Sequence, residues 1–162
     1  MLKQKTNSIF QKLEAELEGR TIIVGMGNTL RQDDGFGCCL AQKLKNKIRL
    51  KVLDVGSVLE NFFGEIIKEN PKTVLLIDAL DSRNSVGELS LLNSEELKTS
   101  NFFLSHNISP SLLFDFLKEN TNAKLYLLAI QPKAIGFGEE MTFKIKERLE
   151  ELRNWFLDKY PI

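Results

Sequence analysis

Residues 21–37 read TIIVGMGNTLRQDDGFG, and the reading of this stretch decides the fold. Thr21, Ile22, Ile23 and Val24 form a β-branched run that stops at Gly25, the mark of a short strand buried on both faces. A polar, glycine-rich loop follows, and beyond it Cys39, Leu40 and Leu44 line one face of a helix. Working outward, the same alternation continues. Upstream, Ile9, Phe10, Leu13 and Leu17 predict an amphipathic helix over 6–18, stopped by Gly19. Downstream, Leu50 to Val55 is a second strand. Val58, Leu59, Phe62, Phe63, Ile66 and Ile67 predict a helix with a strongly apolar face, terminated at Asn70-Pro71. Val74 to Ile77 is a third strand with no polar alternation, hence central and parallel. Gly87 to Leu92 alternates, as an antiparallel or half-exposed edge strand does. Pro110 sits where a helix through Leu113, Phe116 and Leu117 would begin. Leu125 to Ile130 is the last strand, and Ile145, Leu149, Leu152 and Phe156 carry a long final helix.

This order predicts an α/β fold: a single three-layer domain with a mostly parallel sheet and helices on both faces. Strands are expected near 20–25, 51–55, 73–78 and 124–130, and the final helix over 142–158. Ligands of such sheets bind beyond the carboxyl ends of the strands, so the polar residues just after each strand are the ones to inspect.

Composition narrows the function. The 162 residues suit one core. Lys plus Arg (22) balances Asp plus Glu (22), so no overall field favours nucleic acid or an anionic membrane. No apolar run approaches the ~20 residues of a membrane span, and the first twenty residues lack the apolar stretch of a secretion signal. Cys38 and Cys39 are adjacent and poorly placed to pair with each other, which fits a reducing cytoplasm. At least one of them should face the core as a small hydrophobe. His106 is the only histidine, so any imidazole chemistry falls on it or on nothing.

After the first strand comes Gly25-Met26-Gly27-Asn28, and then Asp33-Asp34-Gly35-Phe36-Gly37. A dinucleotide site fails here. The third glycine would fall at Leu30, and two carboxylates occupy the helix entrance where a pyrophosphate would sit. One aspartate of the pair, Asp33, suits a helix cap, leaving Asp34 to point into the crevice. Asp78 follows four apolar residues at the tip of the third strand, a costly place for a charge unless it is paired, hydrogen-bonded or metal-bound. An Asx-type turn or a cap would also account for it. His106 lies in a loop before the helix at Pro110. Asp34, Asp78 and His106 follow three different elements. Together they make a mixed oxygen and nitrogen set that could hold a divalent ion with open positions.

GMGNTLRQDDGFG, LLIDALD, LSHNIS and AIQPKAIGFGEEMT occur here in the order and spacing of the hydrogenase maturation endopeptidases. The chain resembles the branch that processes the formate-hydrogenlyase (hydrogenase 3) type of enzyme. That branch has His-Asn in the later loop, Gln-Pro after the last strand and Gly-Phe shortly beyond. The resemblance runs from about Thr21 to the final helix, so residues 1–19 stand as an N-terminal helical extension and 20–162 as the peptidase domain. It implies a cytoplasmic endopeptidase that removes the C-terminal extension of a nickel-loaded hydrogenase large-subunit precursor. It further implies that Asp34, Asp78 and His106 are both the catalytic set and the ligands that recognise nickel. The nickel would arrive with the precursor, and no nucleotide or organic cofactor is implied. The Gly25 to Asn28 turn and the stretch from Gln131-Pro132 to Gly136 would shape the rest of the crevice. The alternative is a catalytically silent metal- or partner-binding module of the same fold. A zinc peptidase of the His-Glu-x-x-His kind is excluded by the single histidine.

Overall fold

Every residue of strands β1 (Thr21–Met26) and β3 (Thr73–Ala79) is buried, as uninterrupted apolar runs require. In the computed structural model, which describes residues 2–100, 102, 109–138 and 140–162, these two strands lie side by side at the centre of a five-stranded sheet. The order is β2-β1-β3-β5-β4, with β2 (Lys51–Gly56) outside β1 and β5 (Lys124–Ile130) outside β3. These four are parallel. The edge strand β4 (Leu89–Asn93) runs antiparallel to β5, as its alternating pattern predicts.

The period of two sorts the strand residues between two cores. Ile23, Leu75, Ile77, Leu128 and Ile130 face one side, where helices α1 (Leu2–Glu16), α2 (Phe36–Leu44) and α6 (Phe143–Lys159) bring Leu13, Phe36, Leu40, Leu149 and Phe156. Ile22, Val24, Val74, Leu76 and Leu127 face the other, against Leu59, Ile66, Leu113, Phe114 and Leu117. That layer holds α3 (Phe63–Lys68), α4 (Ser94–Lys98) and α5 (Pro110–Asn120). The expected single three-layer domain is therefore present. Pro110 opens α5, and Ile145, Leu149, Leu152 and Phe156 are all buried along α6.

Residues 58–67 differ from expectation. In place of one apolar helix face, a 3-10 turn over Leu59–Phe62 precedes a helix of six residues. The change of helical period breaks the stripe, so only Leu59 and Ile66 are fully buried. Phe63 instead stacks on Phe116, ring centroids 4.3 Å apart.

The strand order has a consequence for function. From β1 the chain moves outward to β2, then returns past β1 to β3. The carboxyl ends of β1 and β3 thus flank the point where the order reverses, and there a crevice opens in sheets of this kind. Helix α2 leaves β1 at this point and crosses the sheet at very short range. A Cβ on Gly37 would stand 2.1 Å from Ile77 O and 2.4 Å from Met26 O, so only glycine fits.

Candidate active site

Asp34 and Asp78 meet at that reversal point. Asp34 sits in the 3-10 turn Gln32–Gly35 that leads into α2, and Asp78 is the penultimate residue of β3. Both are buried. A Cβ on Gly27, which has φ +134°, would lie 1.9 Å from Asp34 O and 3.4 Å from Asp78 Oδ1. Gly27 is therefore the residue that lets the loop after β1 pass over both acids at once.

Among the described residues, one oxygen of each acid has no hydrogen-bond partner. Asp78 Oδ1 accepts from Ala79 N–H at 2.8 Å, which makes neither an Asx turn nor a helix cap. Among the described residues, Asp78 Oδ2 and Asp34 Oδ1 are buried with no hydrogen-bond donor at all. Two acceptor oxygens without donors in a dry site are costly unless something positive arrives. Burial, and then the negative field of Asp34, push the Asp78 carboxyl well above the usual carboxylate range. A third carboxylate nearby, Asp54 on β2, is not in this condition: it accepts from Gln42 Nε2 at 2.8 Å and from Gly56 N–H at 3.3 Å.

Asp33 has a different role from the one expected. Neither the 3-10 turn nor α2 has a side-chain cap. Asp33 is fully buried and turned the other way, toward the segment between β5 and α6. Its Oδ2 accepts from Lys133 N–H at 2.9 Å, from Ala134 N–H at 3.0 Å and from the Thr142 hydroxyl, and its Oδ1 accepts from Thr142 N–H at 2.7 Å. Burial pushes its carboxyl up, but these four bonds outweigh it and hold Asp33 below the ordinary value. The main chains join as well. Asp33 N–H donates to Ala134 O, Gln32 N–H to Gly138 O and Gly138 N–H to Leu30 O, at 3.0, 2.7 and 2.9 Å. The two loops are thus stitched into one body, with Asp34 at its inner edge.

Gln131 performs a similar service for the loop after β3. Its Oε1 accepts from Ser82 N–H at 2.9 Å and Asn84 N–H at 3.2 Å, and its Nε2 donates to Asp81 Oδ1 at 3.1 Å. The sequence marked Gln131-Pro132 as a crevice-shaping stretch without giving this role. Thr142 closes the AIQPKAIGFGEEMT motif, which assigns it no role of its own.

Cys38 is buried behind the pair, as expected of at least one cysteine, and its thiol donates toward Gly27 O at 3.4 Å. Burial, with the carboxylates of Asp54 and Asp78 adding to it, pushes this thiol far up, so it is no nucleophile at neutral pH. Both cysteines are free. His106 and Asn107 lie outside the described residues. Among the described residues, no group of three His, Cys, Asp or Glu side chains could hold a metal. Asp34 and Asp78 are the two carboxylates that meet at the reversal point.

The comparisons with known proteins agree in one direction. The family model for hydrogenase maturation protease matches residues 38–159. The hydrogenase 3 maturation protease of Escherichia coli is 32% identical over 131 residues, covering 80% of this chain and 83% of that one. The fold is similar to the crystal structure of a [NiFe] hydrogenase maturation protease, HycI, from Thermococcus kodakarensis. That match has a TM-score of 0.82 and 30% identity, over 91% of this chain and 97% of that one. The solution structure of the endopeptidase HycI from Escherichia coli gives a TM-score of 0.76 at 30% identity, over 86% and 90%.

Proposed function

The chain belongs to the hydrogenase maturation proteases, peptidases that process the C-terminal extension of a hydrogenase large subunit, and we propose that it reads nickel in its precursor through Asp34, Asp78 and His106. The hydrogenase 3 relationship is the branch to which the motifs pointed. The observation that carries the nickel reading is the pair of buried oxygens, Asp34 Oδ1 and Asp78 Oδ2, that no donor meets among the described residues. Two buried acceptors without donors suit a divalent cation better than any neutral group. The chemistry of the set explains why the metal would come with the substrate. Two carboxylates and one imidazole are too few and too hard to hold nickel tightly, whereas thiolates of a precursor would supply the missing soft ligands. Metal insertion then becomes the condition for cutting.

In this account Asp34 and Asp78 receive the cation, and the stitched loops keep Asp34 in register with Asp78 as it arrives. His106 closes the set from the loop before α5. Residues 20–162 form the working peptidase and 1–19 its N-terminal extension, within the cytoplasm. No helix among the described residues is long and apolar enough to cross a membrane. The partner is the hydrogenase large-subunit precursor, and neither nucleic acid nor an organic cofactor takes part.

The test is processing of a nickel-loaded precursor by Asp34→Asn and His106→Ala, followed by gel mobility or mass. Each should leave the extension in place, with cleavage down by about 10³-fold or more, the scale on which loss of a member of a concerted catalytic set is felt. Full activity of either variant would remove that residue from the site. A chain of this fold that binds the precursor and never shortens it would instead be a silent binding module.

A further inference from the structure

We propose that Gln131 is a positioning residue for cleavage, which fixes Asp78 relative to Asp34 by clamping the loop that leaves β3. This rests on the reading of the acid pair as the site and adds what sets the spacing within it. Gln131 is 7% exposed, and its carboxamide is met at both ends. Its Oε1 accepts from Ser82 N–H at 2.9 Å, Asn84 N–H at 3.2 Å and the Ser82 hydroxyl at 3.3 Å. Its Nε2 donates to Asp81 Oδ1 at 3.1 Å and to Pro132 O at 3.2 Å. The main chain of the same residue takes the far end of the loop, donating to Glu88 O at 3.0 Å and accepting from Gly87 N–H at 2.9 Å. One residue therefore holds both ends of the connection between β3 and β4.

The clamp bears on Asp78 through a very short stretch of chain. Asp78 and Ala79 end β3, and the Ala79 N–H holds Asp78 Oδ1. Leu80 N–H bonds to Ile130 O on β5, directly before the clamped residues begin. Beyond that point the loop needs holding. Arg83 lies at φ +59°, in the left-handed region that a residue with a side chain enters at a cost of about 1–2 kcal/mol. Its N–H is met by Asp81 Oδ1 at 3.2 Å, the same atom that Gln131 Nε2 reaches. The Gln131 amide, and then the Arg83 N–H, keep the Asp81 carboxyl below its ordinary value. Without Gln131 this turn relaxes and the end of β3 frays with it, turning the Ala79 amide and the carboxylate that it orients. The other acid is fixed from the same stretch. Lys133 and Ala134 give their N–H groups to Asp33, the neighbour of Asp34. Residues 131–134 thus hold both loops at once, and the separation of the two carboxylates is set by a segment that belongs to neither.

The experiment is a cycle of Gln131→Glu, Asp81→Asn and the double variant, with kcat and KM read on nickel-loaded precursor well below every melting point. Gln131→Glu sets a carboxylate against Asp81 where an amide donated. Its kcat should fall about 10²-fold, the cost of misplacing a reacting group by roughly 1 Å, with KM held within about threefold. Asp81→Asn keeps an acceptor for Gln131 Nε2 and should cleave at nearly the wild-type rate. In the double variant the new amide can donate to the new carboxylate, so about tenfold of the lost kcat should return, a coupling that independent sites do not show. Wild-type kcat in Gln131→Glu would overturn the proposal. So would a loss that the second substitution leaves in full, since the damage would then lie outside the Gln131–Asp81 contact. If Gln131→Glu does not fold, Gln131→Ala replaces it. A lowered melting temperature with kcat unchanged would make Gln131 a purely structural residue and overturn the proposal, whereas a loss of about 10²-fold in kcat supports it. Wild-type protein that leaves the loaded precursor uncut would instead remove the endopeptidase reading, and the proposal with it.

Discussion

Asp78→Asn will raise the melting temperature at neutral pH while ending cleavage of the precursor. A catalytic substitution that stabilises is the signature of a site held against its own folding preference. Asp78 is fully buried, with one oxygen lacking any donor among the described residues, beside a second buried carboxylate in the same condition. Its folded pKa is raised by burial and by Asp34. The stability linked to this group is therefore complete below its unfolded value near 3.9 and is lost as pH rises through the folded value. At neutral pH the wild type bears that loss and the neutral asparagine does not. The substituted amide can keep the bond from Ala79 through its oxygen, and its NH2 group adds a donor where the described residues supply none. The gain should be about 1 kcal/mol, or about 2–4 °C in a chain of this length. It should shrink as the pH is lowered toward 4, where the unfolded carboxyl is protonated as well. Thermal melts of the two proteins from pH 4 to 8 measure this directly. A lower melting temperature for the variant at pH 7 would mean that the carboxylate has a donor and that the pair is a structural feature.

Asp33→Asn should do the reverse and damage both stability and activity. An amide keeps one acceptor oxygen and turns an NH2 group toward donors, so the Lys133 and Ala134 amides or the Thr142 amide lose their partner. Leaving one to three of these donors unmet costs about 1–3 kcal/mol in all, some 2–12 °C here. The wild-type contribution runs with the opposite pH sign from that of Asp78. Asp33 lies below its ordinary value, so its stabilisation is present above pH 4 or so and fades as the pH falls through the folded value. The gap between the two proteins should therefore close in acid. Cleavage, measured well below both melting points, should fall by about 10²-fold, the effect of displacing a reacting group by roughly 1 Å. An Asp33→Asn protein that melts and cleaves like the wild type would show that the loops are held together by their backbone bonds alone.

The contrast between these neighbours marks what a sequence discloses. Asp78 was legible because a charge closing a run of four apolar residues is anomalous on its face. The strands were legible for the same local reason. β1 and β3 are buried on both sides and so carry no polar interruption, while β4 lies at the edge of the sheet and is half-buried along most of its length. Asp33 reads as a cap because capping is the local use of an aspartate before a helix. Its actual partners lie about 100 residues away and are mostly backbone amides, which leave no mark in residue type. Residues 58–67 misled in another way. Their apolar content is real, but a switch from 3-10 to α geometry rotates the side chains out of a single stripe. Periodicity can be read from a sequence only while the period stays constant.

The central claim is that cutting waits on nickel, and one comparison addresses it most directly. Wild-type protein is given the same large-subunit precursor in two forms, nickel-loaded and nickel-free, and removal of the extension is followed over time. The loaded form should be shortened and the nickel-free form should stay intact, because without the metal the precursor offers Asp34 and Asp78 no cation to bind. Cleavage of the nickel-free precursor at the rate of the loaded one would contradict the claim.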